Sequence, residues 1–327
     1  MKALVCKRWG PPETLVVEQM PDPVAGPGQA VIRVHAAGVN FPDALVIQNK
    51  YQSTPALPFV PGSECAGVIE SIGEGVTQVR PGDRVIAVVE SGAFAEKVRA
   101  DIRALTPLPT GVDFVTGAAF LLAYGTAYHA LCDRAALAEA ETLLVLGASG
   151  GVGMAAIEIG KARGARVIAA ASSESKRALC REHGADEVID SAAEDLKQTL
   201  ATLTAGRGVD VVFDPVGGPF TEAALRCCAW RGRHLVIGFA SGEIPRVPAN
   251  LTLLKGCSLI GVFWGRYMRS EPAAWAGDLH ALFLWLEEGR LRPHIQRRYP
   301  LERGADALAA LLARQASGKL VITAVEP

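Results

Sequence analysis

From about residue 115 the chain alternates short, almost wholly apolar runs with segments rich in Ala, Leu, Glu and Arg, and this alternation restricts the possible fold more than any other feature. The runs are LLVL (143–146), RVIAAA (166–171), EVID (187–190), DVVFD (210–214), HLVIGFA (234–240) and SLIGVF (258–263). A strand covered on both faces reads as a continuous apolar run, and such strands belong to parallel sheets flanked by helices. Six of them predict a full doubly wound sheet. The intervening helices begin near Gly151, Glu174, Glu194 and Pro219, and each connection is long enough for a right-handed crossover.

The first 110 residues have a different texture. Twelve of the 20 prolines fall there, among β-type runs such as AVIRV (30–34), AGVIESI (66–72) and DRVIAVV (83–89). Short strands at near-regular spacing, separated by Gly and Pro turns, predict an irregular β-barrel or sandwich. After Phe263 come a helix striped by Trp275, Leu279, Leu282 and Leu286, the segment IQRRYPLE, a second helix and a closing strand KLVITAV (319–325). The predicted division is therefore a β domain over 1–117, a parallel-sheet domain over 118–265 and a return to the first domain over 266–327.

Composition narrows the class of partner. The 327 residues are 50% hydrophobic and 20% charged, enough for a large core in two domains. With 33 Lys+Arg against 34 Asp+Glu and no basic run, neither a nucleic-acid track nor a membrane-binding face is expected, and a small molecule is the expected partner. The most apolar stretch, Gly117 to Cys132, carries Tyr124, Tyr128 and His129 and falls short of the roughly 20 residues of a spanning helix. It predicts a buried helix in which a lone His129 is structural. The opening MKALVCKRWGPPE lacks the apolar stretch of a signal peptide. Seven cysteines, scattered from Cys6 to Cys257 without CxxC spacing, argue against a disulfide framework or a cysteine-rich zinc site and predict reduced thiols in a cytoplasm.

The segment GASGGVG (147–153) follows the first apolar run and opens a helix. A dinucleotide loop needs a tight turn, a position without a side chain where backbone meets pyrophosphate, and a small residue where helix packs on strand. Ala148, Gly150 and Gly153 occupy those places, within the stretch Ala148, Ser149, Gly150, Gly151, Val152, Gly153 that is expected to hold a cofactor. The free N–H groups and dipole of the helix that follows favour an anion there. A tight connection without any ligand is the alternative for a glycine cluster taken alone. The second strand ends in Ala170, Ala171, Ser172, Ser173, without the carboxylate that holds the ribose of NAD. Lys176 and Arg177 follow within a turn; paired with a 2′-phosphate, they would favour NADPH, with Ser172 and Lys176 as contacts, and otherwise they are solvated cations.

The chain resembles the zinc-free quinone oxidoreductases of the medium-chain dehydrogenase/reductase superfamily, the group that includes zeta-crystallin. The resemblance runs through AAGVNFPD (36–43), PFVPGSECAGVIESIGEGVTQVRPGDRV (58–85), GAFAEKV (92–98), LLAYGTAYHAL (121–131), GASGGVG and DPVGG (214–218). It continues through RGRHLVIGFASG (231–242) and LKGCSLIGVFWG (254–265). It implies an α/β chain with a GroES-like β domain, an inserted Rossmann domain, a C-terminal return and a homodimer. It also implies no zinc: Asn40 and Ser63 stand where zinc-dependent relatives have a cysteine and a histidine, and no four-cysteine lobe is present.

What the resemblance implies for the site is a metal-free hydride transfer to a quinone. Charge arriving on a quinone or enone is delocalised in the acceptor, so proximity and a few hydrogen-bond donors suffice. Asn40 is expected to orient the acceptor and Tyr51 to support or protonate its oxyanion; the alternatives are an Asn40 that satisfies a loop backbone and a Tyr51 that is an exposed aromatic in a turn-rich stretch. Thr126, Gly238, Phe239 and Phe263 match positions beside the nicotinamide, with core packing as the alternative for the two phenylalanines. Leu45 and Ser191 replace tyrosines found in some relatives. Lys319, in SGKLVI, is compatible with a phosphate contact or a turn cap and is left outside the site. An enone or enoyl thioester is the alternative acceptor, and a non-catalytic NADPH-binding protein is the alternative of another class.

Overall fold

The computed structural model describes residues 1–324, so Val325 of the predicted closing strand lies outside the described residues. In the proline-rich part, turns punctuate the strands Lys2–Val5 (β1), Val16–Gln19 (β2), Gln29–Val39 (β3), Glu64–Ile72 (β4), Arg84–Val88 (β5), Lys97–Asp101 (β6) and Leu105–Pro107 (β7). The middle of the chain supplies Thr142–Val145 (β8), Arg166–Ala171 (β9), Glu187–Asp190 (β10), Val209–Asp214 (β11), Cys228–Val236 (β12) and Ser258–Gly261 (β13). Ile295–Pro300 (β14) and Lys319–Thr323 (β15) follow. The chain divides into two compact units, one of residues 1–122 together with the chain from Ile295 onward, the other Ala123–His294.

In the first unit one sheet runs in the order β14, β15, β3, β4, β5, β7, with β6 also paired to β3, while β1 and β2 form a separate ladder. The long β3 is its centre, antiparallel to β4, β6 and β15. Ile32, Ile69, Phe94 and Leu320 meet in its core, each buried side chain contributing about 1.5–3 kcal/mol. The register pairs Leu320 with Val39, which brings the next residue outward on each strand, Lys319 and Asn40, to the same end of the sheet.

The second unit is a six-stranded sheet in the order β10, β9, β8, β11, β12, β13, every pair parallel. Its strand order reverses at β8, so β9 and β11 flank β8, and the crevice beyond the carboxyl ends of these strands is where such sheets bind ligands. All four residues of β8 are buried, as a centre strand covered on both faces requires. The helix Gly151–Ala162 covers it with the buried side Gly153 to Gly160.

Several boundaries differ from the sequence reading, each for a physical reason. The chain crosses back to the first unit at Ile295, not at 266, because the helices Trp264–Ser270 and Pro272–Glu287 use their tryptophans within the second unit. Trp264 packs edge-on against Trp275 with ring centroids 5.3 Å apart, and Trp285 lies 5.5 Å from Tyr128. β12 stops at Val236 because Ile237 N–H turns to Asp214 O and Ala240 N–H to Pro215 O, leaving Gly238 and Phe239 in a loop. The third helix starts at Leu196, two residues beyond the expected Glu194, because Asp195 caps it through the N–H groups of Lys197 and Gln198. The stretch 117–132 is not one helix: it breaks between Phe114–Ala118 and Leu121–Tyr128 and continues as a π-helix over His129–Arg134. Among the described residues no helix is long and apolar enough to cross a membrane.

Candidate functional site

The glycine loop leaves β8 at the reversal point. Gly147, at φ +55°, makes the tight turn, so the turning role expected of Ala148 falls one residue earlier. Ala148 is instead wholly buried and donates its N–H to Ala170 O of β9 at 3.1 Å. A Cβ on Gly153 would stand 2.5 Å from Gly147 O, which shows the close helix-strand approach the third small residue permits. At Gly150, the N-cap of the helix, an added Cβ would meet only Gly147 O at 3.4 Å. No side chain caps this helix, so the first-turn N–H groups of Gly151, Val152 and Gly153 have no capping partner from the loop. Ser149 is buried and Gly150, Gly151 and Val152 are half-buried. The loop fits a dinucleotide: an uncapped helix end and a floor kept bare of side chains.

Opposite the glycine loop in the strand order, DPVGG is held by Asp214 at the end of β11. Its carboxylate accepts from Val216 N–H and Gly217 N–H at 2.9 Å, Thr221 Oγ1 at 2.6 Å and His234 Nε2 at 3.1 Å. Burial works to raise its pKa, but the bonds from His234, Thr221 and Gly217 outweigh it and hold the carboxyl below the usual range. Phe239 packs over Gly217, where a Cβ would lie 2.8 Å from its ring, whereas Phe263 is 52% exposed ahead of the helix Trp264–Ser270. Gly238, in the loop after β12, is half-buried, as is Thr126 on the helix Leu121–Tyr128.

At the end of β9, Ser172 is exposed and Ser173 caps the helix Glu174–Glu182 by accepting from Lys176 N–H. Lys176 is half-buried. Arg177 is tied down, with Glu174 at 3.0 Å and Asp190 at 2.7 Å. Asp190 pairs in register with Ala171, so a carboxylate does stand beside the end of β9, contributed by the neighbouring strand and matched by Arg177. His129 stacks on Tyr267 with centroids 3.9 Å apart and meets Asp133 at 2.9 Å, a packed helix histidine.

The first unit carries a second polar centre. Asn40 follows the last residue of β3 and caps the short helix Phe41–Val46, whose Asp43 accepts Asn40 N–H at 2.8 Å. The other Asp43 oxygen accepts from Ser63 Oγ at 2.8 Å, and burial pushes this carboxyl up to about 6. The Asn40 side chain is committed on both atoms: Nδ2 donates to Gly38 O and to Glu64 Oε2, each at 3.2 Å, and Oδ1 accepts from Lys319 Nζ at 2.5 Å. Tyr51 lies in an irregular stretch, half-buried against the core of this unit. Asp43, Glu64 and Asp214 all sit inside motifs visible in the sequence but had no role there, and nothing local to SGKLVI pairs Lys319 with Asn40.

The description "Alcohol dehydrogenase GroES-like domain" matches residues 26–110 and "Zinc-binding dehydrogenase" matches 151–282. A quinone oxidoreductase-like protein 2 homolog of Nematostella vectensis is 37% identical over 98% of this chain and 88% of its own length. The chain belongs to the quinone oxidoreductases of the medium-chain dehydrogenase/reductase superfamily. Among solved structures of the superfamily, Escherichia coli quinone oxidoreductase complexed with NADPH superposes with a TM-score of 0.94 at 27% identity, covering 99% of this chain and 100% of that one. A mycobacterial protein complexed with NADPH gives 0.93 at 30% identity, with coverage of 99% and 100%. Membership in this oxidoreductase family makes the uncapped end of the helix Gly151–Ala162 a cofactor-binding candidate.

Zinc is the group the second family description suggests, and the residues do not fit it. At the two positions where zinc-dependent members carry cysteine and histidine, Asn40 Oδ1 faces an ammonium and Ser63 Oγ donates to Asp43, so neither thiolate nor imidazole is offered. Among the described residues no group of three or more His, Cys, Asp or Glu is arranged to hold a metal ion.

Proposed function

We propose that this chain is an NADPH-dependent reductase that passes a hydride to a quinone without a metal ion. One observation carries the reading: the polar centre at Asn40 and Ser63 is closed by Lys319 and Asp43, so the charge arriving on the acceptor is met by protein groups and by delocalisation in the acceptor itself. NADPH, when bound at the glycine loop, supplies the hydride. The loop from Ala148 to Gly153 holds the diphosphate on backbone N–H groups, and Ser172 and Lys176 meet the 2′-phosphate. Arg177 stays with Asp190, neutralising the carboxylate nearest the end of β9. Tyr51 orients the acceptor, Asn40, its side chain committed to Gly38, Glu64 and Lys319, acts on it only through that cluster, and Thr126, Gly238, Phe239 and Phe263 line the nicotinamide half.

The test is NADPH oxidation followed at 340 nm with a benzoquinone, a phenanthrenequinone, an alkenal and a crotonyl thioester in parallel, with NADH as control. Fastest turnover of the quinones with NADPH is the expected result. Faster alkenal or thioester reduction would replace the quinone with an enone acceptor, and binding of NADPH without turnover would make this a binding protein.

The reading includes a cytoplasmic homodimer. All seven cysteines are free thiols, six of them buried, which suits a reducing compartment. β13 is the outer strand of its sheet, with Leu259 42% exposed, and Trp230 and Leu253 are 74% and 77% exposed on adjoining segments. A two-fold partner pairing edge to edge would cover this apolar margin.

A further inference from the structure

The buried cluster of the first unit is organised around a lysine. Lys319 is 5% exposed, and its Nζ lies 2.5 Å from Asn40 Oδ1 and 3.4 Å from Glu64 Oε2. An ammonium only donates and a carboxylate only accepts, so the Asn40 amide has a single orientation, oxygen toward Lys319 and nitrogen toward Glu64. Both Nδ2 hydrogens are thereby used, on Gly38 O and Glu64. Glu64 is fixed in turn by Leu122 N–H on its other oxygen at 2.8 Å. Ser63 donates to Asp43. The amide and hydroxyl donors of the cluster all point inward, while the ammonium has three N–H groups and finds two acceptors among the described residues.

We propose that the remaining N–H of Lys319 binds the acceptor's carbonyl oxygen and stabilises the negative charge that develops on it, with Asn40 and Glu64 as the residues that hold the ammonium in place. Lys319 then supplies, without a metal, the positive charge a zinc ion supplies in the zinc-dependent members. This rests on the reductase reading above. The acceptor gains a hydride and becomes an oxyanion as NADPH is oxidised to NADP⁺, and a proton from solvent completes the reduced product. A cation held in a dry, preorganised frame acts on that oxyanion far more strongly than one in water.

The variant to make is Lys319→Met combined with Glu64→Gln, which removes both charges and leaves no buried carboxylate unpaired. NADPH affinity, titrated by fluorescence, should stay within about threefold of the parent, while kcat for a quinone falls on the order of 100-fold. Lys319→Arg should recover part of that loss. A kcat within about threefold of the parent, or a loss confined to NADPH affinity, overturns the proposal. A second measurement needs no variant: the parent loaded with NADP⁺ should bind a hydroxynaphthoquinone that is ionised at neutral pH about tenfold more tightly than its methyl ether. Equal affinity overturns the proposal even if the double variant does not fold. If the parent reduces no acceptor at all, the reductase reading falls, and the binding comparison still decides the role of Lys319.

Discussion

At the scale of single residues, two glycines make different demands, and one of them and an aspartate make separable predictions. Gly147 needs its left-handed backbone, and an added Cβ would also stand 2.9 Å from Val216 Cγ2. Gly153 needs space: its Cβ would have to move Gly147 O, which is backbone. Gly153→Ala should therefore cost about 1–3 kcal/mol in denaturant melts and weaken NADPH binding, and an unchanged midpoint with unchanged affinity would contradict the packing described. Asp43 differs in kind. Burial pushes it from 3.8 up to about 6, so between these values the folded chain keeps a proton that the unfolded chain releases. Its contribution to stability therefore falls as pH rises across that interval and stays low above it. Asp43→Asn mimics the neutral carboxyl, and its melting temperature relative to the parent should rise from pH 4 to 6 and then level off, a gain on the order of 3 kcal/mol.

At the scale of elements, Asp214 fixes how β11 hands the chain to the loop that follows. Removing a buried carboxylate that four donors share strands all four, so Asp214→Ala should destabilise by about 3–5 kcal/mol in thermal or urea melts. Its pH signature is opposite to that of Asp43: a depressed carboxyl adds stability above its unfolded pKa and loses it as pH falls through the folded value, so the variant should lose less than the parent on acidification. The same elements show what a sequence can reveal. RVIAAA coincides with β9 because a strand buried on both faces leaves an uninterrupted apolar run, whereas EVID coincides with β10, an edge strand in which only Ile189 is buried. HLVIGFA misled at its end because Ile237 to Ala240 are as apolar as a strand while their N–H groups turn to the β11 loop, a choice made by tertiary contacts. The glycine loop was legible because backbone freedom and bare space are local demands. The lysine beside Asn40 was not, because the two are 279 residues apart and only the register of β15 on β3 joins them.

At the scale of the whole molecule, the edge of the parallel sheet and the return of the chain carry the consequences. If the margin of β13 is covered by a second copy, Leu259→Lys should shift the protein from dimer to monomer in light scattering without altering its far-ultraviolet spectrum, and a parent that is already monomeric would dismiss the interface. The first unit is assembled from two distant pieces of chain, and β15 lies between β14 and β3 in its sheet. During synthesis the parallel sheet therefore has all of its strands available while the earlier β domain still waits for its last one. A product released by the ribosome or clipped by a protease before Lys319 would still contain a complete cofactor loop, yet it would lack both an inner strand of the other sheet and the cation beside Asn40. On the reading proposed above, the fold ties chemical competence to finished translation: a partial chain would keep the loop for the reductant and lack the cation that lets it be spent.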